Sequence, residues 1–335
     1  MTRLAVSLAP GDRVYVAGHR GLVGSAVVRA LTGAGHGTNL VLRTRDEVDL
    51  RDAAAVDALF ASERPDHVVL AAAKVGGILA NSRYPADFIR ENLAIELNVM
   101  DAAFRHGARR LVFLGSSCIY PKLAPQPLRE EYLLTGPLEP TNEAYALAKI
   151  AGIGLYRAYN AQHGTRYVGL MPTNMYGPGD NYDLETSHVL AAFIRKFHEA
   201  KVSGADHVVV WGSGTPRREF MHVDDLADAV LFVMRAGDEL PHDLLNVGVG
   251  EDLSIRELAE LVGEVVGFDG HLEFDGSKPD GTPRKLLDVS RMTGSGWTAT
   301  IALRDGIRRT YQDFVRTRGP EAPSSDLARA PAGDG

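Results

Sequence analysis

The feature that most narrows what this chain can fold into is a repeating order of short apolar runs and amphipathic stretches. RVYVAG (13–18), TNLVLR (38–43), DHVVLAAA (66–73) and RRLVFLGS (109–116) read as strands. Between them lie stretches with helical spacing: Gly21 to about Ala34, DAAAVDALFASERP and DFIRENLAIELNVMDAAFRHG. A further helix is expected from about Asn142 to His163, followed by a strand, RYVGLM, ending at Pro172. Strands that are apolar throughout need helices on both faces, and that selects a parallel sheet over an antiparallel one. The expected class is therefore α/β.

Beyond residue 176 the rhythm loosens into a Gly, Pro and Asp loop, a helix near 187–200, the short strand VVVW and a helix from about Asp224. The spacing predicts a first domain over 12–175, to which later segments return, and a smaller C-terminal α/β lobe over 176–317. Ser254 and Glu257 have capping-box spacing, a structural feature. The tail from Arg318, rich in Pro, Ala, Ser and Gly, predicts disorder. With 45% apolar residues among 335, the chain can bury a large core. Its net charge of −7 provides no basic field for a nucleic acid. One cysteine excludes an internal disulfide and a cysteine-cluster metal site, so no metal is expected; no segment is long and apolar enough to cross a membrane, and the expected setting is the cytoplasm.

GHRGLVG, Gly18 to Gly24, follows the first strand and opens the first helix. Gly18 suits a tight turn, Gly21 a close approach of a pyrophosphate, and Gly24 close packing of helix on sheet. This is the dinucleotide-binding arrangement of a Rossmann-type, doubly wound sheet. Arg43 and Arg45 in LRTRDE stand where an acidic residue would take the ribose hydroxyls of NAD, and Arg20 reaches the same region. Guanidinium forks suit a 2′-phosphate, so NADPH/NADP+ is the expected cofactor. His19 reads as a turn residue.

Tyr145 and Lys149 in NEAYALAKIAG are four apart and share a helical face. An ammonium near a phenol favours the phenolate, so Lys149 is expected to lower the Tyr145 pKa. Cys118, in GSSCIYPK after the fourth strand, is on its own terms a small buried hydrophobe.

With the glycine turn, a serine at the end of the fourth strand and YxxxK in place, the sequence resembles the extended short-chain dehydrogenase/reductase family. FLGSSCIYPK, EPTNEAYALAKIAG, MPTNMYGP, VVVWGSGTPRREF and KPDGTPRKLLD extend the resemblance over roughly 13–316, to the branch that epimerises and reduces GDP-4-keto-6-deoxy-D-mannose. The resemblance implies that Ser116 and Tyr145 hydrogen-bond the ketone oxygen, that Lys149 also holds the nicotinamide ribose, and that Cys118 and His188 exchange protons during inversion. It places cofactor contacts on Gly18, His19, Arg20, Gly21, Leu22, Val23 and Gly24, then on Arg45, Asp49 and Leu50. Further cofactor contacts fall on Leu114, Gly115, Ser116 and Ser117, on Tyr145, Lys149 and His188, and on Pro172, Thr173, Asn174 and Met175.

By the same resemblance the GDP-sugar is gripped by Asn174, Lys196, Trp211, Arg218, Asp280 and Lys285. The family more often has Arg where Lys196 stands, which loses a fork for the diphosphate. Asn81 is a weaker candidate for the sugar, and HVDD (222–225) reads as a helix start. Rival readings are an NAD-dependent nucleotide-sugar 4-epimerase or 4,6-dehydratase, disfavoured by SSCIYP and by the arginines, and a non-catalytic NADP(H)-sensing protein, disfavoured by the intact Ser116, Tyr145 and Lys149. Apolar positions on the helices near 87–106 and 142–163 predict a homodimer.

Overall fold

The computed structural model describes residues 7–184, 186–278 and 280–318. The first strand, β1 (Val14–Ala17), leads into helix α1 (Leu22–Leu31); β2 (Leu40–Val41), α2 (Ala53–Glu63), β3 (His67–Leu70), α3 (Ile78–Arg83), α4 (Pro85–Arg105), β4 (Arg110–Leu114), α5 (Glu143–His163) and β5 (Val168–Pro172) follow. Along β1, Val14 and Val16 pack towards α1 while Tyr15 and Ala17 pack towards α2 and α4. Both faces are covered, which is why the strand carries no polar alternation.

The rest of the chain in part returns to the main sheet and in part builds a second body of short sheets and helices. Strand β6 (Asn174–Tyr176), α6 (Val189–Ser203), β7 (His207–Trp211), β8 (Arg217–Arg218) and β9 (Phe220–His222) precede α7 (Val223–Ala236), which packs on α1, and β10 (Leu244–Val247), which pairs with β5. Strand β11 (Leu253–Ser254), α8 (Ile255–Val266), β12 (His271–Asp275), β13 (Arg284–Lys285), α9 (Ser290–Gly294) and α10 (Leu303–Arg318) complete it. The main sheet has the order β10-β5-β4-β3-β1-β2, and every pair in it is parallel. Neighbours β2 and β3 lie on opposite sides of β1, so the topological switch point lies at the carboxyl ends of β1 and β3. A separate apolar cluster joins Phe193, Phe197, Val262 and Phe314 from α6, α8 and α10.

Local departures from the expected elements have simple causes. The first helix ends at Leu31 rather than near Ala34, because the chain widens into one loose turn, Thr32–His36, in which Gly35 adopts φ 91°. The second strand pairs over only two residues. The Ser254/Glu257 capping box forms at the start of α8, and His222 caps α7 by accepting from the Asp224 N–H. Arg318 ends α10, and the rest of the expected disordered tail lies outside the described residues. Among the described residues no helix is long and apolar enough to cross a membrane.

One buried carboxylate holds the two bodies in register around the crevice. Glu219, fully buried between β8 and β9, accepts from the N–H groups of Val249 (2.7 Å), Gly250 (2.8 Å) and Leu287 (3.0 Å). Its carbonyl oxygen accepts from Asn174 Nδ2 (2.7 Å) and Thr173 Oγ1 (3.1 Å), just beyond β5. Glu219→Ala leaves three backbone donors without an acceptor and is expected to lower unfolding stability by about 3 kcal/mol or more in chemical denaturation. A loss within experimental error of zero would show that water substitutes for the carboxylate.

Candidate active site

The cofactor end is shaped by backbone. Gly18 has φ 83°, and a β-carbon there would approach the Ala72 backbone to 2.8 Å. At Gly24 a β-carbon would collide with the Gly18 carbonyl, so this glycine is required by the turn itself rather than by helix-to-sheet packing as expected. Gly21 meets only ordinary van der Waals contact with protein, so room at that position is room for a ligand. No side chain caps the first turn of α1, which leaves the amides of Leu22, Val23 and Gly24 available to an anion. These features fit a dinucleotide pyrophosphate.

The arginines beyond β2 divide. Arg43 is ion-paired to Glu63 and donates to the Leu42 carbonyl (2.8 Å), so it is turned to structural work. Arg45 is two-thirds exposed and only loosely faces Glu91 at 4.0 Å, and Arg20 is exposed. Of the three, Arg20 and Arg45 remain open to a 2′-phosphate. Asp49 is held by Arg51 (2.6 Å), whose hydrogen bonds pull its carboxyl down to about 2, and Leu50 packs against the main core.

The candidate catalytic residues Ser116 and Cys118 follow the end of β4 directly. Gly115 N–H donates to the Leu170 carbonyl (2.9 Å), which continues the parallel pairing one residue past β4. Ser116 then opens a single 3-10 turn, its hydroxyl accepting from the Cys118 N–H at 3.2 Å. The Cys118 sulfur receives hydrogen bonds from Asn142 Nδ2 and from Lys285 Nζ, each at 3.4 Å. Burial by itself pushes the thiol up, but the Lys285 charge and the hydrogen bonds from Ser116 and Lys285, with Arg218 behind them, outweigh it and leave the thiol below its ordinary value. His188 immediately precedes α6, and burial, reinforced by Lys285, pushes its imidazole below its ordinary value.

Tyr145 and Lys149 share a face of α5, with the ammonium 5.8 Å from the phenol ring. The expected lowering of the phenol pKa is not what the structure gives. Lys149, 1% exposed, is ion-paired with Glu96 (3.1 Å) and donates to the Leu114 carbonyl (3.1 Å), so its charge is matched by a carboxylate. Burial, followed by the negative charges of Cys118 and Glu96, pushes Tyr145 upward. The phenol therefore stays protonated across the neutral range and is suited to donate a proton. Gly152 makes room for this pair, since a β-carbon there would lie 2.7 Å from Glu96 Oε2.

The outer part of the site comes from the second body. Arg218 lies beside Lys285 on paired strands, and a β-carbon on Gly281 would come within 2.9 Å of its Nη2. Asp280 accepts from Ser213 N–H (2.9 Å) and Ser213 Oγ (2.7 Å). Trp211, 54% exposed, is no core anchor; Lys196 Nζ sits 5.3 Å from its ring and donates to the Val209 carbonyl (3.1 Å). Asn81 donates to the Gly76 and Gly77 carbonyls and so braces its own loop. Asn142, Glu96 and Glu219 were not singled out from sequence. Asn142 alone carried a signal, three residues before Tyr145 in PTNEAY.

The profile described as the NAD dependent epimerase/dehydratase family matches residues 14–248. The chain belongs to that family. Within it, the chain is 58% identical over 304 residues to "GDP-L-fucose synthase 1" of Arabidopsis thaliana, covering 91% of this chain and 93% of the relative. It is 56% identical over 318 residues to "GDP-L-fucose synthase" of Escherichia coli (strain K12), with 92% and 98% covered. Among solved structures, a GDP-L-fucose synthetase from Naegleria fowleri bound to NADP is 28% identical, with a TM-score of 0.86, covering 96% of this chain and all of that one.

The buried pair gives a pH-dependent prediction. Burial already raises Glu96 above the ordinary carboxylate range, with Lys149 pulling it back. In Lys149→Met the folded-state pKa of Glu96 rises further above its unfolded value, so stability is lost as pH climbs between the two. Thermal melts should show a larger deficit at about pH 8 than at about pH 5.5, approaching roughly 3–5 kcal/mol. Adding Glu96→Gln should restore part of it; a double variant no more stable than the single would refute the pairing.

Proposed function

We propose that this chain catalyses the reaction of the GDP-L-fucose synthases: inversion at C3 and C5 of GDP-4-dehydro-6-deoxy-D-mannose, followed by reduction of the C4 ketone to give GDP-L-fucose. The observation that carries this reading is the Cys118 thiol, held by two donors beside Ser116 and Tyr145, because a simple 4-reductase has no use for a second acid/base group there. Relatives named for that product at 56–58% identity support it.

The expected cofactor is NADPH, supported by the open Arg20 and Arg45 and by the NADP-bound structure of a family relative. Bound NADPH supplies the hydride. The ketone makes the protons on C3 and C5 acidic, so one polarised carbonyl serves all three steps. Ser116 and Tyr145 donate hydrogen bonds to the C4 oxygen, stabilising the enolate during inversion and the alkoxide during reduction. Cys118 and His188 remove and return protons on opposite faces of the ring. Tyr145, kept protonated by its surroundings, gives its proton to the C4 oxygen as the hydride arrives. Lys149, neutralised by Glu96, holds the ribose rather than driving Tyr145 to phenolate.

The segment 176–317 is assigned mainly to the GDP-sugar, with Arg218 on the diphosphate, Asp280 facing the donor edge of guanine, and Trp211, Lys196 and Asn174 lining the substrate. A thiolate-dependent enzyme with one cysteine suits a reducing cytoplasm. The turnover test is incubation with NADPH and GDP-4-dehydro-6-deoxy-D-mannose: NADPH absorbance should fall, and a folded protein that leaves it unchanged sinks this reading. In Cys118→Ser, solvent deuterium entry at C3 and C5 should be suppressed while NADPH binding persists.

A homodimer is the expected assembly. Leu93 and Leu97 on α4 and Leu147 on α5 stay exposed although the two helices pack together, leaving an apolar face for a two-fold copy. Leu97→Lys should move the mass measured by light scattering from dimer towards monomer; an unchanged mass would remove these helices from the interface.

A further inference from the structure

We propose that Lys285 is the positioning residue that holds Cys118 as its thiolate and so sets the pH range over which the inversion steps run. This deepens the reading above and rests on Cys118 being an inversion base. By resemblance Lys285 belonged to the nucleotide-sugar grip, yet its Nζ lies 3.4 Å from the Cys118 sulfur, as close as an ammonium needs to be to donate to a thiolate. The sulfur has a second donor, Asn142 Nδ2 just before α5, also at 3.4 Å. A thiolate is the better acceptor for both.

The position of Lys285 is fixed by backbone. Strand β13 pairs in parallel with β8, with Lys285 opposite Arg218, so two cations stand side by side facing the sulfur. Two residues later the Leu287 N–H is bound to the buried Glu219, which keeps the strand from sliding. The charged and titratable groups that act on or feel Cys118 are Lys285 on β13, Arg218 on β8 and Tyr145 on α5, while His188 before α6 feels Lys285. Besides burial, the largest influences on the sulfur are cations and hydrogen-bond donors. Tyr145 is pushed towards its neutral form by burial first and then by Cys118, and His188 towards its neutral form by burial first and then by Lys285. The thiol, by contrast, is pushed towards its charged form. Lys285 thus acts on both inversion groups: it favours the thiolate of Cys118 and disfavours the imidazolium of His188.

The chain's single cysteine makes the test direct, because ultraviolet thiolate absorbance and iodoacetamide alkylation report this sulfur alone. In the wild type the thiolate should titrate below the free-thiol value of about 8.5. Lys285→Met should move the midpoint up by about one unit or more and slow alkylation at about pH 7 by about tenfold. Lys285→Arg, which keeps the charge, should restore most of the shift. The pH profile of solvent deuterium uptake at C3 and C5 should move in the alkaline direction by the same amount as the thiolate midpoint, which a merely structural role would not produce.

A wild-type midpoint at or above the free-thiol value overturns the proposal without any variant. So does an unmoved midpoint in a Lys285→Met protein that still binds NADPH. The thiolate measurements need no substrate: if only the substrate assignment were wrong, deuterium uptake would be missing in every variant, wild type included, while the midpoints would still separate.

Discussion

The site depends on a carboxylate that does no chemistry. Glu219 accepts three backbone N–H bonds from the segments that follow β10 and β13, and its carbonyl takes two side-chain donors just past β5. Those segments enter the crevice from different parts of the chain, and none of them could order itself there alone. A buried ionised group is costly unless its lone pairs are filled, and burial does push Glu219 above the usual carboxylate range. With the acceptor filled, the cost becomes register. Arg218 precedes Glu219 by one residue, Lys285 precedes Leu287 by two, and Asn174 is bonded to its carbonyl, so three side chains assigned to the substrate are fixed by one residue.

The two lysines at the centre are handled in opposite ways. Lys149 is sealed against Glu96 and a carbonyl, so its charge is matched before any ligand arrives, and its neighbour Tyr145 keeps its proton. Lys285 has no carboxylate partner among the described residues and points at sulfur. One cation is silenced beside the proposed acid, and the other is left active beside the proposed base. The same residue type serves both ends because a lysine's effect is set by what else lies within a few ångströms of its point charge.

Most of the fold was legible because its cause is periodic: strands covered on both faces lose polar alternation, and the glycine turn marks where the first of them ends. The β1 to β5 order, the long α4 and α5, and the capping box at Ser254 all follow local patterns. The electrostatics were less legible. Spacing placed Tyr145 and Lys149 on one face correctly, but Glu96, on a different helix fifty residues earlier, decides what Lys149 does. Glu219 left no local signal, since its three partners are backbone groups that every sequence supplies.

The arginines beyond β2 show the same limit at the cofactor end and also how it can be narrowed. Sequence placed Arg43 and Arg45 where a 2′-phosphate would sit, with Arg20 able to reach the same region. Geometry removes Arg43, whose guanidinium is taken by Glu63 at the end of α2 and by its neighbour's carbonyl. The two that remain approach from different segments, one within the glycine turn and one beyond β2. The arginines open to a 2′-phosphate are therefore divided between the turn and the strand end, and Arg43 is better understood as a brace for the loop on which Arg45 stands.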